Sequence, residues 1–117
     1  MELKNDSSTT IMDFRKKLKV FVDERDWNQY HSPKALAIAL NIEAAELLEV
    51  FLFQPDNFIP KNLDSLTDEM ADVFIYLMNL VNSLNLDNFT EIIKHKMEKN
   101  AKKYPIKEFS AKKYKKQ

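Results

Sequence analysis

The sequence predicts an all-α protein. Three observations carry that expectation. Apolar residues return at helical spacing in four stretches, capping residues open those stretches, and no segment alternates as a half-buried strand would. The chain has 117 residues, enough for one domain, and 44% of them are apolar. A chain this short buries only part of its surface alone. The expected architecture is a four-helix core bundle that assembles into an oligomer.

Residues 1–9 are polar, rich in Ser and Thr, and read as a flexible leader. Thr10 can cap a first helix, with Asp13 in its first turn and Ile11, Phe14, Leu18, Phe21 and Val22 at helical spacing. That helix is expected to end near Asp26. Asp26–His31 has no helical period and reads as a loop. Ser32-Pro33 is a strong start, a capping serine followed by proline at the first helical position. The second helix is expected over Pro33–Phe53, until Gln54-Pro55-Asp56 stops it. After a loop containing Pro60, Asp64 can cap a third helix over Ser65–Leu84. Its stretch Val73–Met78 is apolar on every side, and a helix apolar all round is buried all round. In so small a protein this points to a partner copy, a homodimer or homotetramer. Asp87 can cap a fourth helix over Asn88–Lys103, which Tyr104-Pro105 ends. Residues 10–105 thus form the domain, and residues 106–117 a basic tail.

Two acidic pairs organise the chain: Glu43-Ala44-Ala45-Glu46 and Glu69-Met70-Ala71-Asp72. The i, i+3 spacing puts both carboxylates of a pair on one helical face. Glu43 falls in the apolar stripe Leu36, Leu40, Glu43, Leu47, Val50. Glu69 falls in the stripe Leu66, Glu69, Val73, Tyr76, Leu80. Both occupy positions that the pattern reserves for core residues. A buried carboxylate is costly unless it is paired or binds metal. One reading is that Glu46, Glu49 and Asp72 are solvated while Glu43 and Glu69 each meet a lysine. The other is that four acids converge on cations, for which an all-oxygen set suits Mg²⁺ or Mn²⁺.

Other chemistries fall away. There is no cysteine, hence no disulfide and no thiolate metal site. There is no glycine, which excludes the Gly-rich phosphate loops. Neither His31 nor His95 lies three residues after a glutamate, as a di-iron bundle site requires. No secretory signal is visible at the start, and an apolar run such as Val73–Met78 is too short to span a bilayer. A cytoplasmic protein without a membrane partner is expected. Charge is uneven: residues 1–93 carry 8 basic and 16 acidic side chains, while residues 94–117 carry 10 lysines against Glu98 and Glu108. No arginine cluster or aromatic ladder accompanies the lysines, so a solvated face is expected rather than a nucleic-acid site.

These motifs resemble those of the MazG-like, all-α nucleoside triphosphate pyrophosphohydrolases. The resemblance rests on Glu43–Glu49 followed by Glu69–Asp72. It is closer to the dCTP pyrophosphatase branch through Glu24–Pro33, Asp72–Leu77, Lys96–Asn100 and Lys103-Tyr104-Pro105. It covers roughly residues 10–105. It implies Mg²⁺, with Mn²⁺ as a substitute, held by Glu43, Glu46, Glu69 and Asp72. It implies Trp27 and Phe53 beside the base, Tyr76, Lys96, Asn100 and Tyr104 near sugar and phosphates, and His31 in the same region. The implied reaction converts a nucleoside triphosphate, dCTP or a related pyrimidine nucleotide, to monophosphate and pyrophosphate in nucleotide-pool sanitation. Glu46 is the expected general base. The chain departs from the family pattern at Ile42, Ala45, Phe53 and Leu18, where glutamate, glycine, tryptophan and histidine respectively are common. The alternative from another class is a non-catalytic helical interaction module with a basic tail.

Overall fold

The computed structural model describes residues 2–111. Among them there are helices and no strand: α1 (Ile11–Glu24), a 3-10 turn (Trp27–Tyr30), α2 (Pro33–Glu49), α3 (Asp64–Ser83), α4 (Phe89–Lys103) and the short α5 (Ile106–Phe109). No helix among the described residues is long and apolar enough to cross a membrane. The chain divides into two compact units, residues 1–86 and 87–117.

In the first unit α3 is the central element and packs against both α1 and α2. The predicted α1 cap is a capping box. Thr10 Oγ1 accepts from the Asp13 N–H at 3.1 Å, and Asp13 accepts from the Thr10 N–H at 2.9 Å. Before α1, Asn5 Oδ1 accepts from the N–H groups of Ser7 and Ser8, which closes a turn inside the leader. The Ser32 hydroxyl accepts from Ala35 N–H at 3.1 Å, with Pro33 opening α2 as expected.

Four expectations need correction. The stretch after Asp26 is not plain loop, because Trp27–Tyr30 winds into a 3-10 turn after Asp26 takes a left-handed conformation. Helix α2 stops at Glu49, four residues short of Phe53. Its last bonds tighten to i→i−3, from Phe51 N–H to Leu48 and from Leu52 N–H to Glu49, before Phe53 turns left-handed at φ 66°. Asp64 lies inside α3 rather than capping it. Asn62 Oδ1 accepts its N–H at 2.9 Å, and Leu63 is already helical. Asn88, not Asp87, caps α4 by accepting from Glu91 N–H.

The core of the first unit is small: Val22, Leu36, Met78 and Val81 are buried, with Phe14 edge-on to Phe74 at 5.2 Å. Leu36 is 2% exposed. Leu36→Ala is therefore expected to cost about 2–5 kcal/mol, read as a lower denaturant midpoint at unchanged slope. Arg15 is buried beside this core without a carboxylate. Its Nε donates to Asn82 Oδ1 at 2.9 Å and its Nη2 to the Leu86 carbonyl at 2.6 Å, while Asn82 Nδ2 donates to the Arg15 carbonyl. This arginine ties α1 to the end of α3 and satisfies the Leu86 carbonyl in the link that follows it. Ile38, Ile42 and Leu48 of α2 remain exposed.

In the second unit α4 ends at Tyr104, whose ring stands edge-on to Phe109 of α5 at 5.2 Å. His95 lies within ion-pair distance of Glu91 and Glu98 on the same exposed face. The remainder of the basic tail lies outside the described residues.

Candidate metal centre

The buried sides of α2 and α3 are the two predicted stripes. Leu36 is buried and Leu40, Glu43, Leu47 and Val50 are half-buried; on α3, Leu66, Glu69, Val73, Tyr76 and Leu80 are half-buried. Packing α2 on α3 brings the acids of both stripes together. Glu43, Glu69 and Asp72 each place a carboxylate oxygen within 4.8 Å of the others, close enough to share one ion. Glu46 belongs to the same cluster, since its carboxylate pushes up the protonation of both Glu43 and Glu69. Glu49 is exposed.

Among the described residues these acids have no counter-charge in an ion pair. Glu43 is raised above its ordinary pKa, first by burial and then by Glu46 and Asp72, although the hydrogen bond from Glu69 works the other way. Glu69 is pushed up to about 7. The largest cause is the hydrogen bond it shares with Glu43, followed by burial and by Glu46. The two carboxyls share a proton more readily than either holds a charge beside the other. Glu43 Oε2 and Glu69 Oε2 are buried with no hydrogen-bond partner. The lysine-paired alternative fails here: the ion pairs among the described residues are Lys19–Asp23, Arg25–Glu24 and His95 with Glu91 and Glu98. Two orphaned buried carboxylate oxygens, on a site of oxygen donors only, fit a hard divalent cation.

The residue pattern is matched by comparison. A model of the MazG-like family matches residues 38–116. The chain belongs to the MazG-like family. Among relatives, dCTP pyrophosphatase 1 of Bos taurus is 34% identical over 106 residues, covering 86% of this chain and 62% of that protein. Its counterpart in Rattus norvegicus is 36% identical over 103 residues, covering 83% and 60%. This MazG-like chain therefore spans about three fifths of the length of those relatives. The solved structure of a pyrophosphatase from Archaeoglobus fulgidus is 34% identical, with a TM-score of 0.76 over 90% of this chain and 98% of that one.

The other predicted site residues of this MazG-like chain fall in both units. Trp27, 43% exposed on the 3-10 turn, stands edge-on to Phe21 at 5.7 Å and lies 6.2 Å from the half-buried His31 ring. Tyr76 follows Asp72 by one turn on α3. Phe53 is 95% exposed in its left-handed conformation, which a bulky residue adopts only at a cost in backbone strain. Lys96, Asn100 and Tyr104 lie in the second unit, exposed along or just after α4.

The sequence reading missed a polar cavity of about 280 Å³ in the first unit. It is lined by Lys19, Val22, Asn28, His31, Asn79, Asn82, Ser83 and Asn85. A signal for it existed. Asp72, Tyr76, Asn79 and Ser83 recur at helical spacing, a polar stripe running on from the acids through an apolar helix.

Proposed function

We propose that this chain is a metal-dependent nucleoside triphosphate pyrophosphohydrolase acting on a pyrimidine nucleotide, dCTP or a close relative. The observation that carries the reading is the convergence of Glu43, Glu46, Glu69 and Asp72 with two buried carboxylate oxygens left unpartnered. Glu43, Glu69 and Asp72, with Glu46 beside them, would hold Mg²⁺, with Mn²⁺ as a substitute. Such an ion, when bound, neutralises phosphate charge and polarises a phosphoryl oxygen. Glu46 accepts the proton of the water that attacks the α-phosphorus, and pyrophosphate leaves. Trp27 offers an exposed ring face to a base, with His31 and Tyr76 nearer the phosphate end. The assignments of Phe53 to the base, and of Lys96, Asn100 and Tyr104 to sugar and phosphates, rest on the family resemblance alone. The dCTP preference is supported by the names of the relatives, and sanitation of the cytoplasmic nucleotide pool is the role it implies. The exposed Ile38, Ile42 and Leu48 support a homodimer or homotetramer.

A panel of nucleoside triphosphates, read by pyrophosphate release, tests the activity. dCTP is expected to lead the panel with Mg²⁺, to turn over with Mn²⁺, and to fall to background in excess EDTA. Release of inorganic phosphate instead, or full turnover in EDTA, would overturn the reading. No turnover of any nucleotide would favour the helical interaction module.

A further inference from the structure

We infer that a second, smaller cavity, between α1 and the end of α3, binds a phosphoryl anion on the buried guanidinium of Arg15. The cavity measures about 160 Å³ and is lined by Met12, Arg15, Lys16, Lys19, Asn82 and Asn85. Three of these residues are cations and none is an acid. Arg15 is 8% exposed, and no ion pair among the described residues neutralises it. A charge buried so deeply is costly without an opposite charge, and an anion in the cavity would supply one.

Arg15 is also held in place. Its bonds from Nε to Asn82 and from Nη2 to the Leu86 carbonyl fix the plane of the guanidinium. Nη1 is left over and makes no hydrogen bond within the protein among the described residues. A planar donor already fixed loses little further freedom when it takes a phosphate oxygen. Lys16 is in no ion pair among the described residues, and Lys19 meets Asp23 in an exposed pair that holds its charge only weakly. Three cations favour a dianion over chloride or a single carboxylate. Size narrows the class further. A water takes about 30 Å³ of liquid, so the cavity has room for roughly five. A tetrahedral phosphate fits that space and a nucleoside does not. The metal centre takes no part: Asn82 follows Asp72 by ten residues on α3, about 15 Å of helical rise, and none of the clustered acids lines the cavity. Binding here needs no metal, and the assignment stands apart from the hydrolase reading.

The test follows the arginine Nε–H signals by NMR in EDTA, at constant low ionic strength. The chain has two arginines, Arg15 and Arg25, so Arg25→Lys assigns both signals. Inorganic phosphate, pyrophosphate and dCMP are titrated in turn, with chloride as the control. The Arg15 signal is expected to shift and saturate at millimolar phosphate while that of Arg25 stays put. Saturation by any of the three supports the site, and the one that binds most tightly names the source of the phosphoryl group. Arg15→Gln, followed by calorimetry, is expected to weaken binding about 10- to 150-fold, the worth of a hydrogen bond to a charged group. Lys16→Glu, on the exposed side of the cavity, is expected to weaken it at least about 10-fold and decides the matter if the Arg15 variant misfolds. A shift that chloride reproduces at equal ionic strength would be screening and would overturn the assignment. So would saturable binding that Lys16→Glu leaves unchanged, or that appears only with Mg²⁺, since both place the anion elsewhere. No shift at all would leave Arg15 a tie between helices with water on Nη1, and would overturn it too. A protein that bound phosphate through Arg15 yet released no pyrophosphate from any nucleotide would sink the hydrolase reading and leave this assignment standing.

Discussion

Glu69→Gln is expected to abolish most pyrophosphohydrolase turnover while making the metal-free protein more stable at pH 8. Activity and stability move in opposite directions because one carboxylate serves one and harms the other. In the metal-free fold Glu69 is pressed by Glu43 and Glu46, and its Oε2 is buried without a partner. Glutamine has nearly the same shape, carries no charge, and can donate to a neighbouring carboxylate at any pH. Removing an uncompensated like charge relieves the cluster. As a ligand of the proposed cation site, Glu69 is expected to cost turnover at least about 100-fold when replaced, the upper end of what partners one step removed from a metal cost. The measurements are kcat at saturating Mg²⁺ and a thermal melt in EDTA. A variant that lost activity and also melted lower at pH 8 would show that Glu69 is a structural residue. One that kept activity would remove it from the site. Glu46→Gln separates the roles: with Glu46 as the proposed general base, this variant is expected to lose about 10²- to 10⁴-fold in turnover while still binding metal through Glu43, Glu69 and Asp72.

Much of this centre was legible because it breaks the very rule that makes helices readable. Glu43 and Glu69 stand where the 3.6-residue period calls for leucine, and the structure half-buries both with their stripes. An acid out of place is informative because a scaffold would gain by replacing it. The caps at Thr10 and Ser32 were legible for a related reason: each satisfies backbone groups within three residues, so the information is local. What the sequence hid is long-range. Arg15 reads as one more charge on an amphipathic helix, yet it is buried and hydrogen-bonded to an asparagine 67 positions away. Asn79 reads as an interruption of an apolar run, and only the arrival of the 3-10 turn and α1 makes it the wall of a cavity. The end of α2 was misjudged because the chain has no glycine. The usual left-handed stop residue is missing, and Phe53 takes that conformation against its preference.

The metal-free protein is expected to lose stability as pH rises from 5 to 8.5, and Mg²⁺ is expected to restore it at the alkaline end. The sign follows from Glu69. Its carboxyl titrates near 4.5 in the unfolded chain and near 7 in the fold. A group raised in this way contributes stability that is fully present below pH 4.5 and is lost as pH passes through about 7. Above that, Glu69 is charged beside Glu43, Glu46 and Asp72 with no ion pair to it among the described residues, and Glu43, also raised, adds to the same trend. A divalent ion reverses the trend because it binds the deprotonated acids and competes with their protons. At pH 8.5 a hundredfold excess over Kd is expected to raise Tm by roughly 10–20 °C. At pH 5 the same concentration is expected to do little, since protons hold the site. Melts in EDTA and in Mg²⁺ at four pH values decide it. A Tm in EDTA that rises across pH 6–8, or a Mg²⁺ effect as large at pH 5 as at 8.5, would show that the acids are not a proton-linked cation site. Glu69→Gln should flatten both curves through this interval, which ties the linkage to this one carboxyl and not to the net charge of the chain.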